Sequence, residues 1–390
     1  MGKAKLIKPF PFAVYFWTVM LLVVIGLADS IYLAVSHYRV YTDITYSSFC
    51  ALSKAINCDT VSQSPYSIFW QIPVPIWGIA GYIFFLLFLP LARSKDANKE
   101  RVWALLFLLS LLFTLCSIIL AVISSYYIRS YCIMCLVSYA VNLLLLFYTR
   151  MIRSRFSSQS IVGALKRDLQ FLVDRRIYCI SVFTPLLLCF ILVKIFLPVY
   201  WSFQQPVLSA QISSGTTIDG HPWIGAKDPR LVITEYTDYQ CFQCKKMHFF
   251  LRRLIAENPD KIRLVHRHFP MDHEFNPIVK TPFHVGAGKM ALLAISAAAH
   301  DKFWQINDAL FAAAGQDRNL NIKKLAQKAD MDYRQLARAL TDPDCRRRLQ
   351  NDIISGLQLQ ITGTPAFVID QKVYLAQIPP QIIRNALKQR

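Results

Sequence analysis

Six of the ten cysteines are spaced for chemistry. Cys132 and Cys135 form one Cys-x-x-Cys pair, Cys241 and Cys244 form another, and Cys50 and Cys58 stand eight residues apart in a polar segment. Such pairs either trade electrons as disulfides or hold a metal ion. A zinc site around Cys241 and Cys244 would need two further ligands at suitable spacing; none is apparent, so no metal is expected. The β-rich "LVITEYTDYQ" precedes Cys241, and "CFQCKKMHFFLRRLI" has helical periodicity. Cys241 therefore falls at a helix amino terminus, where unpaired N–H groups and the helix dipole favour a thiolate. It is expected to be the attacking or attacked sulfur, with Cys244 resolving it. "YCIMCLVSYAVN" differs, because its dithiol opens an apolar run. Cys132 and Cys135 lie at i and i+3 on one face, close enough to close a disulfide, and Tyr139 and Asn142 extend that face. A polar stripe at membrane depth faces a bundle interior or a ligand.

The elements that must position these thiols follow from hydropathy. With 54% hydrophobic residues among 390, the chain is long enough for two domains and too apolar to be wholly soluble. Apolar runs predict five membrane helices, at Phe12 to Val35, Val74 to Leu91, Val102 to Ile123, Tyr131 to Tyr148, and Ile177 to Val199. The first follows Lys3, Lys5 and Lys8 as a signal peptide would, but its apolar core is too long and lacks a persuasive cleavage site. It is expected to be retained. Basic residues cluster at the amino terminus, at Arg93, Lys95, Lys99 and Arg101, and at Arg150, Arg153, Arg155, Lys166, Arg167, Arg175 and Arg176. The positive-inside rule puts these in the cytoplasm and all three cysteine pairs outside, where disulfides persist. The net charge of +19 is distributed around hydrophobic segments rather than interleaved with aromatics, which argues against nucleic-acid binding. "SIVGALKRDLQFLV" places Ile161, Leu165, Leu169 and Leu172 at helical spacing, either along the inner membrane surface or as a solvated connector.

After Tyr200 and Trp201, suited to an interfacial belt, "QQPVLSAQISSG" reads as a tether. Residues 211–390 have an α/β pattern: strands at "RLVITEY" and "KIRLVHRHF", helices from Pro277 to Leu349, and a closing hairpin from "PAFVID" and "KVYLA". His266 and His268 should share one strand face. Cys116, Cys179 and Cys189 read as small apolar residues and Cys345 as a buried thiol. Asp29 is a candidate proton relay or pocket residue, and Arg129 an interfacial anchor. No nucleotide loop or Ser/His/Asp triad is seen.

The carboxy-terminal part resembles the thioredoxin superfamily, specifically the Dsb-type dithiol oxidoreductases, on "CFQC", "HRHFPM", "KFWQINDALF" and "TGTPAFVID". The resemblance implies that Thr364 and Pro365 form the cis-proline loop beside the active sulfurs, where substrate chains are presented. Residues 10–150 are similar to the vitamin K epoxide reductase family, on "GLADSIYLAVSH", "SQSPYSIFWQIPVPIWGIAGY", "YCIMCLVSYAVN" and the loop cysteines. That resemblance implies Cys132 and Cys135 as the quinone-side pair, Cys50 and Cys58 as the shuttle pair, and Ser64, Tyr139 and Asn142 as quinone-pocket residues. The expected architecture is a four-helix membrane domain (1–150), then a cytoplasmic connector, fifth transmembrane helix and tether (151–210), then a thioredoxin-like domain with a helical insertion (211–390). The expected function is a multi-pass disulfide oxidase of the bacterial inner membrane, amino terminus cytoplasmic and soluble domain periplasmic. It would pass electrons from reduced exported proteins to a ubiquinone- or menaquinone-type acceptor, through contact between its own two domains. Two alternatives stay open: an outward-flowing reductant or isomerase system, and a membrane-anchored chaperone with a thioredoxin shape.

Overall fold

Uncharged apolar segments can satisfy their backbone N–H and C=O groups in lipid only by forming helices or closed barrels, and the first half of the chain forms helices. The computed structural model describes residues 10–44, 46, 48–50, 56–93, 102–156, 160–201, 212–313 and 321–388. Lys3, Lys5, Lys8, Lys95, Lys99, Arg101 and most of the expected tether lie outside the described residues. Contacts divide the chain into two units, Met1–Tyr200 and Trp201–Arg390.

The first unit runs α1 (Phe12–Thr42), α2 (Cys58–Gln63), a hairpin of β1 (Ile68–Phe69) and β2 (Ile72–Pro73), α3 (Val74–Ala92), α4 (Trp103–Val122) extended by a π-helical turn (Ile123–Ile128), α5 (Ile133–Phe156), α6 (Ile161–Asp174) and α7 (Arg176–Phe196). Among the described residues, five of these helices are long and apolar enough to cross a membrane: α1, α3, α4 with its π turn, α5 and α7. The α1, α3, α4 and α5 helices share one core that includes Val19, Val23, Phe85, Leu89, Leu106 and Leu145. In contrast, α7 buries no residue fully; it leans on α3 through Phe183 against Phe84 and Phe88, and the Tyr178 hydroxyl donates to the Leu87 carbonyl at 3.0 Å.

Three elements depart from the expectations. The α5 helix starts at Ile133 and runs eight residues past Tyr148, to Phe156. The α1 helix continues seven residues past Val35, because its last turns find partners. His37 is buried and hydrogen-bonds Tyr200 at 2.8 Å and Ser67 at 3.2 Å, while Arg39 pairs with Asp43. In α6 the expected stripe divides: Ile161 and Leu169 are exposed, whereas Leu172, with Phe171, meets the bundle, and Ala164 and Asp168 are buried. What draws that second face inward is the amino terminus of α4. The Asp168 carboxylate accepts the N–H groups of Val102 (2.9 Å), Ala104 (3.0 Å) and Leu105 (3.3 Å), a cap delivered from another helix.

The second unit holds a six-stranded sheet of order β3-β4-β6-β5-β7-β8. Its strands are β3 (Ser214–Thr216), β4 (Pro222–Gly225), β5 (Leu231–Thr237), β6 (Ile262–His268), β7 (Ala366–Ile369) and β8 (Lys372–Leu375). The β5 and β6 strands are parallel and linked by α8 (Phe242–Glu257); the other pairings are antiparallel. Five helices, α9 (Ala287–Ala298), α10 (Phe303–Ala313), α11 (Ile322–Lys328), α12 (Tyr333–Arg338) and α13 (Pro343–Gln358), form the insertion before β7, and α14 (Pro380–Lys388) closes the chain. The end of the expected tether is not a linker: Ser214 and Gly215 pair with Ile224 and Trp223 in β3 and β4.

The core of this unit is unusually polar. Glu235 on β5 hydrogen-bonds His266 on β6 at 2.7 Å, and His266 contacts His268 at 3.3 Å, so both histidines do share a face. Asp352 of α13 accepts from the His268 N–H and from His221, and Asp308 of α10 pairs with Arg252 and His248. Burial holds His266 and His268 down to about 3 and Glu235 up to about 7. Asp308 and Asp352 lie below the usual carboxylate range; their histidine hydrogen bonds and neighbouring positive charges outweigh an opposing desolvation.

Two outcomes are expected. Asp168→Ala should strand three N–H groups and cost about 2 kcal/mol, read as a fall of several degrees in the melting temperature of the detergent-solubilised chain. Acid should weaken the second unit. Between pH 6.5 and 4.5, the ordinary values of histidine and glutamate, unfolding takes up two protons at His266 and His268 and releases one from Glu235. The stability these histidines contribute is complete above pH 6.5 and is lost as pH falls, at about 1.4 kcal/mol per pH unit for one net proton. The depressed carboxylates add loss in the same direction at lower pH. Denaturant melts at pH 7.5, 6 and 5 check the sign.

Candidate functional site

In the first unit the loop cysteines are joined: Cys50 and Cys58 form a disulfide with Cα atoms 5.7 Å apart. Cys58 opens α2, whose N-cap, Asn57, accepts the Thr60 N–H on its side chain. Asn57 also donates its own N–H to the carbonyl of Tyr131 at 2.9 Å, and Ile56 and Tyr131 form a parallel bridge. The residues just before Cys58 and Cys132 are thereby stitched together. Cys50, Cys58 and Cys132 are all buried in one cluster, packed with Leu33, Val61, Ile133, Met134 and Cys135. The Asp59 carboxylate holds the Ser48 N–H, which fixes the approach to Cys50.

Cys132 and Cys135 are free thiols in this structure. Cys132 precedes α5 rather than sitting within it, and its sulfur accepts the Cys135 N–H at 3.3 Å, the arrangement of a helix cap. One turn beyond Cys135, the Ser138 hydroxyl donates to Oδ2 of Asp29 on α1. Asp29 is 5% exposed, and its Oδ1 is buried with no hydrogen-bond partner among the described residues. Asn142 accepts from the Tyr82 hydroxyl at 2.7 Å and donates to Ser117 at 2.9 Å, while its carbonyl accepts from Thr114. Gly26 makes room for this, since a Cβ there would overlap the Tyr82 ring. The Tyr139 hydroxyl meets Ser124. Ser64 is placed with α2 and the turn after it: its hydroxyl donates to Val61 and its carbonyl accepts from Ser67, both at 2.8 Å. Arg129 is exposed, in a left-handed turn that ends the π segment.

In the second unit Cys241 caps α8, its sulfur accepting the Cys244 N–H at 3.4 Å. The Cys241 thiol also reaches the carbonyl of Thr364 at 3.4 Å, and the Thr364–Pro365 bond is cis. The β5–α8 corner and the loop before β7 thus bring Cys241, Cys244, Thr364 and Pro365 together. Cys241 lies below an ordinary thiol, held there first by the Cys244 hydrogen bond and then by charge on His284, against burial. Burial, then Cys241 itself, holds Cys244 well above. One sulfur is poised to attack or leave, and the other to keep its proton.

Ser138 is legible in the sequence, since it stands three residues after Cys135, and Asp238 stands three residues before Cys241. Tyr82 and His284 reach their sites from distant segments. Cys345 is buried, and Cys116 and Cys189 lie exposed on apolar helices. Among the described residues no group of three or more His, Cys, Asp or Glu is placed to hold a metal ion.

Residues 17–150 match the vitamin K epoxide reductase family, and residues 217–389 match a thioredoxin family. Among curated proteins the chain is similar to the Na(+)/H(+) antiporter NhaA 3 of Salinispora tropica (25% identical) and NhaA 1 of Salinispora arenicola (26%). Each match covers 146 residues, 37% of this chain and 21% of the relative, so the chain spans about a fifth of the length of the curated relatives it matches. Among solved structures it is similar to a thioredoxin-like oxidoreductase from Silicibacter pomeroyi, with 21% identity, TM-score 0.35, and coverage of 43% of this chain and 90% of that one. The thiol-disulfide exchange protein alpha-DsbA2 of Wolbachia pipientis has 16% identity and TM-score 0.36, with 43% and 86% coverage. The catalytic domain of Proteus mirabilis ScsC has 22% identity and TM-score 0.33, with 43% and 87% coverage. The chain therefore joins a vitamin K epoxide reductase family domain, at residues 17–150, to a thioredoxin family domain, at residues 217–389.

Proposed function

We propose that this protein is a membrane thiol–disulfide oxidoreductase that makes disulfides in exported proteins and passes the electrons to a membrane quinone. The observation that carries this is the buried cluster in which the Cys50–Cys58 disulfide and the Cys132 thiol pack together. A disulfide exchanges only with a sulfur that can reach it in line, and here two of the three proposed stations are already adjacent.

A substrate thiolate attacks Cys241, and Cys244 leaves and takes a proton. The substrate's second thiolate then displaces Cys241, so the substrate departs with a disulfide and the pair keeps two electrons. Reduced Cys241 attacks Cys50 and expels Cys58; Cys244 resolves this mixed disulfide and restores the Cys241–Cys244 bond. Freed Cys58 attacks Cys132 when Cys132 and Cys135 are joined and expels Cys135; Cys50 resolves, leaving Cys132 and Cys135 reduced. A quinone, when bound, supplies a two-electron, two-proton acceptor for that last dithiol. The residues around Cys135 fit such a group. Ser138, Tyr139 and Asn142 line the stripe beside it, with Ser64 as a further pocket residue, and Oδ1 of buried Asp29, unpartnered among the described residues, is a proton-accepting atom on the carboxylate that Ser138 holds. Arg153 and Arg155 in the last turn of α5, with Arg175 and Arg176 between α6 and α7, support a cytoplasmic inner face; in this reading the amino terminus lies inside and all three cysteine pairs lie in the oxidising compartment.

Purified chain with a reduced unfolded protein and a soluble ubiquinone analogue should form quinol. Cys50→Ala should lower the rate at least 100-fold while leaving single-turnover exchange at Cys241/Cys244 intact; reoxidation of that pair at the normal rate would refute the order. Ser138→Ala and Asp29→Asn should slow quinol formation about tenfold or more without changing exchange among the thiols. An outward-flowing reductant would instead keep Cys241/Cys244 mostly reduced in cells, which acid-quenched trapping reads directly.

A further inference from the structure

The segment just before α9 is held against the β5–α8 corner by more contacts than a loop needs. His284 Nδ1 lies 2.9 Å from Oδ2 of Asp238, a carboxylate that is fully buried. Asp238 also accepts the N–H groups of Gln240 and Met271, both at 2.6 Å, and its own carbonyl takes the N–H of Cys241 at 3.1 Å. The Gln240 side chain donates to the Val285 carbonyl at 2.6 Å, and Asp272 accepts from Gly286 and Gly288. His284 itself has φ of 38°, in the left-handed region that a non-glycine residue occupies at a cost and that concentrates at functional sites. Phe283 stacks on its ring at 4.0 Å. Every one of these contacts fixes where the imidazole stands relative to the turn that carries Cys241.

We propose that Asp238 and His284 form an oriented electrostatic pair, in which the imidazole, held by the carboxylate against the turn that carries Cys241, brings positive charge to that sulfur. In keeping with this geometry, His284 favours ionised Cys241, and Asp238 adds to the burial and the neighbouring Cys241 that oppose ionisation of Cys244. The other titratable groups of this neighbourhood are Asp272, which ties down the strap, and His273, 3.5 Å from Asp272. The consequence follows from exchange chemistry. When a substrate dithiol reduces the Cys241–Cys244 bond, two electrons enter, one proton stays on Cys244 and one is released, and Cys241 ends as a thiolate. A cation beside that thiolate stabilises the reduced form, improves Cys241 as a leaving group, and makes the disulfide more oxidising. His284 and Asp238 are positioning residues, acting through the cysteines.

This rests on Cys241/Cys244 being the pair that meets protein substrates, and the test separates the two ideas. The reduced full-length chain is alkylated with iodoacetamide from pH 4 to 8, and Cys241 labelling is followed by peptide mass spectrometry. His284→Gln should move the midpoint up by about one pH unit, so that labelling on the acid side slows about tenfold. His284→Lys, which restores a cation, should return most of the shift. A glutamine profile superposable on the wild type, or equal shifts in both variants, would overturn the proposal, since a structural role predicts no dependence on charge. Wild-type chain that fails to exchange with a reduced protein would refute the substrate-facing reading of the pair; the labelling profiles would still decide the role of His284.

Discussion

Disulfide exchange requires that an attacking sulfur meet its target in line, and in the first unit one backbone contact fixes which sulfurs are neighbours. The Asn57 N–H to Tyr131 C=O bond ties the residue before Cys58 to the residue before Cys132. It turns a loop cysteine into a fixed neighbour of a helix-capping one. The helices around it serve the same constraint. The α1, α3, α4 and α5 helices give Cys132 and Cys135 a rigid mount, and the Asp168 cap holds the far end of α4 to the connector.

The two dithiol centres use one local device in different solvents. In each, the first cysteine caps a helix and accepts the N–H of the second, so the backbone itself distinguishes the two sulfurs. Beyond this they diverge. The second unit surrounds its pair with charge, in Asp238 and His284, and with the Thr364 carbonyl. The first surrounds its pair with apolar side chains and a hydroxyl-rich stripe, which ends in a buried carboxylate with one oxygen unpartnered among the described residues.

The polar core of the second unit has a structural cost. Burial keeps His266 and His268 neutral in the folded sheet, so the sheet that carries the site is tied to pH.

Cysteine spacing, the uncharged apolar runs, the basic clusters and the strand before Cys241 were all readable from the chain, because each is a local pattern set by residue type and period. Helix lengths were readable only to within the apolar runs: α1 outgrew its span because His37 and Arg39 found partners. Ser214 and Gly215 passed for linker because a three-residue strand has too few alternations to announce itself. The sequence by itself determined which residues can exchange electrons and which segments can sit in a membrane. Only the tertiary structure decided which sulfur meets which, that Asp168 caps α4, that Ser138 finds Asp29, and that His284 faces the corner of Cys241. Those contacts join segments dozens to more than a hundred residues apart, and their energies exist only once burial has brought the partners together.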